Sequence, residues 1–186
     1  MILFVNACVR PDSRTKRLAD CLLRRFSGAV KAVKLDKTQL PEVNADFIAW
    51  RNERSGMGDF ASPVFDLAKD FAAADTVVIA APYWDLSFPA ALKRYIEQIC
   101  VVGLTFRYEN DAPVSMCRAK RLYYVTTAGA YIASAEFGFG YIQALAQTFF
   151  GISECEMIKA EGLDISGADV EAILKNAEDH IRSLKI

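Results

Sequence analysis

Short apolar runs recur along the chain, and each is followed by a stretch in which apolar residues have helical spacing. These runs predict five strands, over residues 2–7, 30–35, 76–81, 121–126 and 155–160. Residues 2–7 (ILFVNA) and 76–81 (TVVIAA) are almost continuously apolar, which is typical of parallel strands buried on both faces. Residues 30–35 (VKAVKL) instead alternate apolar and basic positions, so we expect this strand nearer an edge of the sheet.

Helices are predicted in the stretches that separate the strands. The spacing of apolar residues predicts five helices: over residues 15–26, from Pro63 onward, over residues 90–100, over residues 137–150 and after residues 166–169. Ser62 followed by Pro63 is a favourable helix start, Gly151 is placed to end the fourth helix, and residues 166–169 resemble a capping box. Residues 36–60 have weak periodicity, with a short helix predicted only over 44–52.

Strands and helices therefore alternate five times along the chain. This alternation predicts one α/β domain over residues 1–186, with a doubly wound five-stranded parallel sheet in a three-layer α/β/α arrangement. The strand order 2-1-3-4-5 is the natural choice, and it places a ligand crevice beside the carboxyl ends of strands 1 and 3. The crevice would be formed by three loops: residues 7–15, 82–89 and 127–131.

Composition narrows the possible functions. The net charge of -1 and the lack of a basic run argue against nucleic acid as a partner. The five cysteines form no C-x-x-C pair, and the single His180 cannot complete a zinc cluster, so no metal site is expected. No signal segment or membrane span is recognisable, and the thiols suit a reducing compartment, so we expect a cytoplasmic protein without membrane contact.

The loop after strand 1 (CVRPDSRT) opens directly onto a helix. Free N-H groups and the positive end of the helix dipole favour an anion there. Ser13 and Thr15 can add hydroxyl donors, and Arg10 and Arg14 can add charge. No glycine precedes Gly28, so both glycine-rich nucleotide motifs are excluded and a monophosphate suits the loop better than a pyrophosphate. The alternative is that Ser13 or Asp12 only caps the helix while the arginines face water.

The other two loops suit a planar ring. The loop 82–89 (PYWDLSFP) combines restrictive prolines with two adjacent aromatic residues, where a connector is ordinarily polar. The loop 127–131 (TAGAY) contains Gly129, which lets the backbone approach a ligand closely. Hydrophobic cover for the sheet and a tight turn are the respective structural alternatives. The position of all three loops at the carboxyl ends of strands favours a shared ligand site.

These motifs together resemble a known family. The segments NACVRPDSRT, PYWDLSFPAALKRYI, GLTFRY and TTAGAY, in this order, are similar to the flavodoxin-like NAD(P)H:quinone oxidoreductases and FMN-dependent azoreductases. The most specific motif is P-x-W-x-x-S-x-P-x-x-L-K, and the resemblance extends from strand 1 into the helix after Phe137. It implies a flavodoxin-like fold and non-covalent FMN, with FAD as the alternative, at the interface of a homodimer.

The resemblance also implies a set of cofactor-binding residues. Arg10, Ser13, Arg14 and Thr15 would surround the flavin phosphate. The ring would be flanked by Pro82, Tyr83, Trp84, Asp85 and Leu86, and its pyrimidine side approached by Thr127, Ala128, Gly129 and Ala130. This chain departs from the family at Ala7, where serine is common, at Asp85, where asparagine is usual, and at Ala130, where a second glycine is found.

The implied activity is two-electron transfer from NADH or NADPH, through N5 of the bound flavin, to a quinone, azo or similar aromatic acceptor in ping-pong fashion. No catalytic acid, base or nucleophile is then obligatory. Tyr131 and Phe106 are candidates for lining the acceptor site, although both residue types are also ordinary packing residues. Residues 36–60, with Trp50 and Met57, would either cover the flavin of a neighbouring subunit or fold onto their own core.

Two other functions remain open from the residues, and a third is disfavoured. A flavodoxin-type electron carrier without nicotinamide turnover shares the expected fold, but such carriers are usually strongly acidic, unlike this chain. A flavin-free relative is conceivable because of Ala7 and Asp85. A hydrolase is disfavoured because no G-x-S-x-G motif is present and His180 falls on the expected surface of the last helix.

Overall fold

The computed structural model describes residues 1–186. Its main sheet contains five parallel strands, and a separate antiparallel hairpin adds two more. In chain order the strands are β1 (Ile2–Asn6), β2 (Val30–Lys34), β3 (Thr76–Ala80), β4 (Phe106–Glu109), β5 (Ala112–Ser115), β6 (Arg121–Thr127) and β7 (Glu154–Ala160). The main sheet has the order β2-β1-β3-β6-β7. When the five strands of this sheet are numbered along the chain, the order is 2-1-3-4-5, as predicted.

Helices cover both faces of this sheet. They are α1 (Arg14–Leu23), α2 (Ala45–Gly56), α3 (Asp66–Ala73), α4 (Ala90–Ile99), α5 (Tyr141–Thr148) and α6 (Val170–Ser183). Alternate residues of β6 point to opposite faces: Tyr124 packs with α3, α4 and α5, whereas Tyr123 packs with α1 and α6. The structure is therefore the predicted three-layer α/β/α arrangement. No helix has both the length and the apolar character needed to cross a bilayer.

The stretch between β2 and β3 is more ordered than its sequence predicts. The helix predicted over 44–52 extends to Gly56, with the side chain of Asn44 accepting from the N-H of Phe47 at 2.9 Å. Trp50 stacks on the fully buried Phe65 at 5.7 Å between ring centroids. This segment therefore folds onto its own chain, while Met57 remains exposed.

Two predicted helix starts are wrong in detail. Ser62 caps a 3-10 turn (Pro63–Phe65), and the regular helix α3 begins only at Asp66. The last helix has no capping box at 166–169, because Asp169 is its N-cap and accepts from the N-H of Ala172 at 3.0 Å. The predicted end of the fourth helix is confirmed, since Gly151 has a φ of 62° that favours glycine.

The hairpin β4–β5 is absent from the five strands predicted from the sequence. Asn110 and Asp111 both have positive φ, 49° and 61°, as the two central residues of a tight hairpin turn require. The predicted helix over 137–150 is also divided, into a π-helical turn (Glu136–Gly140) followed by α5. His180 lies on the exposed surface of α6, as predicted.

Candidate functional site

A cavity of about 350 Å³ lies at the carboxyl edge of the main sheet. The three loops predicted to form a crevice meet there, together with a fourth loop that follows β7. The cavity is lined by Val9, Arg10, Asp12, Ser13, Arg14, Thr15, Pro82, Tyr83, Trp84, Thr127, Ala128, Gly129, Leu163 and Asp164. Its volume is within the range of small-molecule sites.

The loop after β1 is held against the sheet by its own first residues. The N-H of Ala7 donates to the carbonyl of Ala80 at 2.8 Å, which continues the ladder one residue past the strand. The buried side chain of Asn6 accepts from the N-H of Cys8 at 2.9 Å and turns the chain outward. Burial raises the pKa of the Cys8 thiol, so this thiol is neutral at pH 7.

One end of the cavity is formed by the N-terminus of α1. Ser13 caps the helix, because its Oγ accepts from the N-H of Lys16 at 3.2 Å, while its hydroxyl hydrogen remains available. The N-H groups of Arg14 and Thr15 donate to no protein acceptor. Thr15 is buried, and its hydroxyl pairs with that of Thr127 at 2.6 Å, joining the first and third loops. Unsatisfied donors at a helix N-terminus make this end suitable for an anion.

Ionised side chains also concentrate at this end. Nη1 of Arg14 lies 2.7 Å from Oδ1 of Asp164, and this is the one salt bridge among the four charged side chains that line the cavity. Arg10 and Asp12 form no salt bridge within the protein. Arg10 is therefore free to pair with an anionic ligand, whereas Arg14 already has a carboxylate partner.

The other end of the cavity is formed by the loop after β3. The N-H of Trp84 donates to the carbonyl of Ser87 at 3.1 Å, and the N-H of Ser87 donates back at 2.8 Å. Asp85 and Leu86, the two residues between Trp84 and Ser87, have φ of 51° and 65°, as in a type I′ turn. Their own N-H groups donate to no protein acceptor. The turn thus presents two adjacent free donors.

The same loop contributes aromatic surface and is anchored at two points. Tyr83 and Trp84 line the cavity, and the N-H of Tyr83 donates to the carbonyl of Thr127 at 3.0 Å. The hydroxyl of Ser87 donates to the carbonyl of Phe137 at 2.6 Å, which ties the loop to the π-helical turn. A planar group in the cavity would therefore contact aromatic side chains on a fixed loop.

The third loop is held in place by the fourth. The N-H groups of Gly162, Leu163 and Asp164 donate to the carbonyls of residues 130, 128 and 129 at 3.1, 3.2 and 2.8 Å, respectively. The carbonyls of the third loop are therefore occupied, whereas the N-H groups of Gly129 and Ala130 have no protein partner. A Cβ at position 129 would overlap the carboxylate of Asp164, so a larger residue at this position would have to displace that side chain.

Glu161 adds a side-chain anchor between these two loops. Its carboxylate accepts from the N-H of Ile132 at 2.9 Å and pairs with Lys159 at 2.7 Å. Partial burial acts to raise the pKa of Glu161, but the hydrogen bonds from Lys159 and Ile132 outweigh it and hold the pKa below its usual value. Glu161 is therefore ionised at neutral pH and fixes the far end of the third loop.

The structure brings most of the predicted site residues together. Ten line the cavity: Arg10, Ser13, Arg14, Thr15, Pro82, Tyr83, Trp84, Thr127, Ala128 and Gly129. Asp85, Leu86 and Ala130 lie next to lining residues but do not line the cavity themselves. Of the two acceptor-site candidates, Tyr131 is 70% exposed and lies over Gly162, whereas Phe106 is buried against Phe149 at 4.7 Å and does not line the cavity.

Leu163 and Asp164 are lining residues that the sequence prediction omits. The signal for them was the position of the last strand, because its carboxyl end lies at the same edge of the sheet as those of β1, β3 and β6. Limiting the crevice to three loops excluded the fourth. The omission matters because Asp164 carries the charge that pairs with Arg14.

This combination of a doubly wound sheet with an anion-binding helix terminus and an aromatic loop at one edge is that of the flavodoxin-like class. A family model described as "Flavodoxin-like fold" matches residues 1–184. The chain is 33% identical to FMN-dependent NADH:quinone oxidoreductase 2 of Clostridium acetobutylicum, over 94% of this chain and 92% of that protein. It is 30% identical to FMN-dependent NADH:quinone oxidoreductase of Clostridium beijerinckii, over 96% and 94%.

A solved structure gives the same result. The crystal structure of azoreductase from Bacillus anthracis str. Sterne superimposes with a TM-score of 0.83 at 25% identity, covering 97% of this chain and 95% of that chain. The chain therefore belongs to the flavodoxin-like family that includes FMN-dependent NADH:quinone oxidoreductases and azoreductases, and the predicted family is confirmed.

Proposed function

We propose that this protein is an FMN-dependent oxidoreductase that transfers two electrons from NADH or NADPH to a quinone, azo or similar small aromatic acceptor. The observation that carries the proposal is a single cavity with an anion-binding helix terminus at one end and an aromatic loop with free N-H donors at the other. FMN has a phosphate at one end and a planar ring at the other. The activities for which the relatives are named support the same reaction.

The residues present fit FMN. Its phosphate would be held by the free N-H groups of Arg14 and Thr15, the hydroxyl of Ser13 and the guanidinium of Arg10. Its ring would be flanked by Pro82, Tyr83 and Trp84. The free N-H groups of Asp85, Leu86, Gly129 and Ala130 would be the donors for the polar edge of the ring. The hydroxyl pair of Thr15 and Thr127 lies between the two ends.

Bound FMN would supply the two-electron carrier between the nicotinamide and the acceptor. The protein's own part is to bind, orient and exclude water. N-H donors on the anchored loops are fixed before the ligand arrives, so they stabilise negative charge on a bound ring without reorganisation. Electron transfer through bound FMN needs no protein nucleophile or base.

We propose the ping-pong order, in which the nicotinamide leaves before the acceptor binds. Tyr131 is the proposed acceptor-site residue, because it is exposed beside the third loop. Parallel double-reciprocal plots at several acceptor concentrations are expected. Intersecting lines would contradict the ping-pong order but not the reaction itself.

The test of the function is a visible spectrum in three stages. The protein is incubated with FMN, freed of excess ligand, treated with NADH or NADPH without oxygen, and then given a quinone. Flavin absorbance that bleaches with nicotinamide and returns with quinone is expected. Bound flavin that ignores both nicotinamides would instead indicate an electron carrier, and failure to retain FMN would refute the proposal. Parallel samples with FAD and riboflavin establish which flavin is retained.

We also propose that the protein forms a homodimer. α2 contains no buried residue and exposes Ile48, and Met57 directly follows it. Exposed Val102 lies beside α2, because the hydroxyl of Ser55 donates to its carbonyl. A second copy of the chain would cover this apolar surface. Light scattering is expected to give twice the chain mass of 20.6 kDa, and Val102→Asp to reduce it. Val30→Asp, on the exposed edge strand β2, is the matched control.

A cytoplasmic location and a single folding unit over residues 1–186 complete the proposal. All five cysteines are unpaired, which supports a reducing compartment. The two large buried clusters lie against the same sheet, which supports one cooperative unit. Coincident unfolding transitions by circular dichroism and tryptophan fluorescence are expected, and two separated transitions would contradict the single unit.

A further inference from the structure

The Arg14–Asp164 pair occupies the end of the cavity that the proposed function assigns to phosphate. Arg14 is the first residue of α1, and Asp164 lies in the loop after β7, 150 positions along the chain. The backbone of Asp164 is fixed by its N-H bond to the carbonyl of Gly129 at 2.8 Å. Its carboxylate lies so close to Gly129 that a Cβ there would overlap it. The carboxylate therefore extends across the cavity from the third and fourth loops to the helix terminus.

This arrangement gives the cavity a balanced charge. Arg10 and Arg14 contribute two positive charges to the lining, and Asp12 and Asp164 contribute two negative charges. A carboxylate and a phosphate both accept from guanidinium N-H groups, and Asp164 occupies Nη1 of Arg14, so the two anions compete for the charge of this side chain. Any phosphate bound at the N-terminus of α1 must share Arg14 with Asp164 or displace it.

We propose that Asp164 sets the affinity of the site for phosphorylated flavin by competing with the phosphate for Arg14. This inference rests on the proposed function. Two unit charges of like sign separated by a few ångströms repel each other even at a partly solvated site. The phosphate carries more than one negative charge at pH 7, and Asp164 both repels it and holds its cationic partner. The carboxylate lies beside Gly129 but forms no hydrogen bond with the ring end, so the phosphate contribution is the one that is weakened.

The test is Asp164→Asn, which keeps the size of the side chain and removes its charge. Asp164 is 68% exposed in its side chain, so this change is compatible with folding. Dissociation constants for FMN and riboflavin are measured by quenching of flavin fluorescence. We expect the dissociation constant of FMN to fall about tenfold, equivalent to about 1.4 kcal/mol. That of riboflavin, which has no phosphate, should change less than about twofold.

The matched control is Asp12→Asn, which removes a negative charge from the same lining without breaking a salt bridge. We expect it to change the FMN constant by less than about threefold. An equal gain in both variants would mean that charge in general, rather than the pair, sets the affinity, and would overturn the inference. Weaker FMN binding in Asp164→Asn would also overturn it, because Asp164 would then be orienting Arg14 for the phosphate.

Riboflavin separates the remaining outcomes. A parallel gain for FMN and riboflavin would place the effect of Asp164 on the ring or ribityl chain and overturn the proposed competition. Failure of the unsubstituted protein to bind either flavin would refute the proposed function and this inference with it. Binding of FMN that is unaltered by Asp164→Asn would leave the proposed function standing and refute the inference alone.

Discussion

The two ends of the cavity are built in different ways. The phosphate end consists of side chains and N-H groups from residues 10–15, which are close neighbours in sequence at the start of one helix. The ring end combines the aromatic side chains of Tyr83 and Trp84 with backbone N-H groups of residues 85–86 and 129–130, and its loops are held by hydrogen bonds to distant parts of the chain. Ser87 is fixed by Phe137, and the third loop by residues 161–164.

This contrast determines how each end should respond to change. At a site made of charged side chains, the affinity can be altered by removing one side chain at a time. Only ligands that carry the opposite charge should be affected. The backbone donors of the ring end have no side chain to remove. Their positions can be altered only through the residues that hold the loops, and such changes should affect every flavin equally. Comparison of FMN with riboflavin separates the two.

The largest expected effect is at the phosphate end. Arg14→Ala removes a guanidinium from the cavity and leaves Asp164 without its partner, so phosphate loses an attraction and gains a repulsion. A charge-assisted hydrogen bond contributes about 1.5–3 kcal/mol, which corresponds to roughly 10- to 100-fold in the FMN dissociation constant. Fluorescence titration should show this loss for FMN and little change for riboflavin.

The control for that variant is Arg17→Ala. Arg17 lies one turn further along α1 but pairs with Glu171 and Glu178, outside the cavity. Arg17→Ala removes the same charge from the same helix. A comparable loss of FMN affinity in this variant would show that the overall charge of α1, rather than a local contact, attracts the phosphate.

The next effect tests the point at which the two ends meet. Gly129→Ala places a Cβ against the carboxylate of Asp164, so the Arg14–Asp164 pair must break or the third loop must shift. We expect the free energy of unfolding to fall by about 1–2 kcal/mol. In an Asp164→Ala background the overlap with the carboxylate is removed and only the contact with the Cβ of residue 164 remains, so the same substitution should cost about half as much. Denaturant unfolding measures both values.

Gly56→Ala is the control for the glycine change. Gly56 ends α2, and a Cβ at this position would have no other atom within 4 Å, so alanine should be neutral or slightly stabilising there. Equal costs for Gly129→Ala in both backgrounds would show that the third loop itself, and not Asp164, resists the added methyl group.

A smaller effect is expected at the ring end. Glu161→Ala removes the acceptor for the N-H of Ile132 and loosens the third loop without touching the cavity. FMN and riboflavin should both bind about threefold more weakly, equivalent to roughly 0.6 kcal/mol. Glu156→Ala is the control, because Glu156 lies on β7, the strand that precedes Glu161, and its carboxylate is 3.7 Å from His180 at the surface. A loss confined to FMN would contradict the separation of the two ends.

The difference between the two ends of the cavity also explains which parts of the site could be predicted from the sequence. The residues that line the cavity at the start of α1, Arg10, Ser13, Arg14 and Thr15, were predicted individually, because a helix start, its cap and the neighbouring arginines are local features. The flavodoxin-like sheet was predicted because apolar runs alternate with helical spacing. The type I′ turn was not, since Asp85 and Leu86 have positive φ although neither is glycine or asparagine. The tertiary contacts that hold this turn, rather than its own residues, account for its conformation.

The salt bridge of Arg14 and the anchor of Glu161 were beyond local prediction for a similar reason. Asp164 and Glu161 both belong to a loop that the sequence prediction left out of the crevice, and only the folded sheet brings that loop to α1 and to the third loop. The hairpin β4–β5 was missed because Pro113 and two short strands read as a turn alone. Features that depend on two distant segments were thus the ones that needed the structure.

The smallest effect is a pH dependence that isolates Glu161. Its pKa in the folded protein lies below the ordinary value of 4.5, so between these two values the unfolded chain binds a proton that the folded chain does not. The stabilisation is therefore complete above about pH 5 and is lost as the pH falls through the folded-state pKa. The difference in unfolding free energy between the unsubstituted protein and Glu161→Ala, about 1 kcal/mol at pH 7, should shrink over this interval. A difference that is constant from pH 7 to pH 3 would mean that the contacts with Lys159 and Ile132 do not depend on the charge of Glu161, and that the ring end is held by the shape of its loops alone.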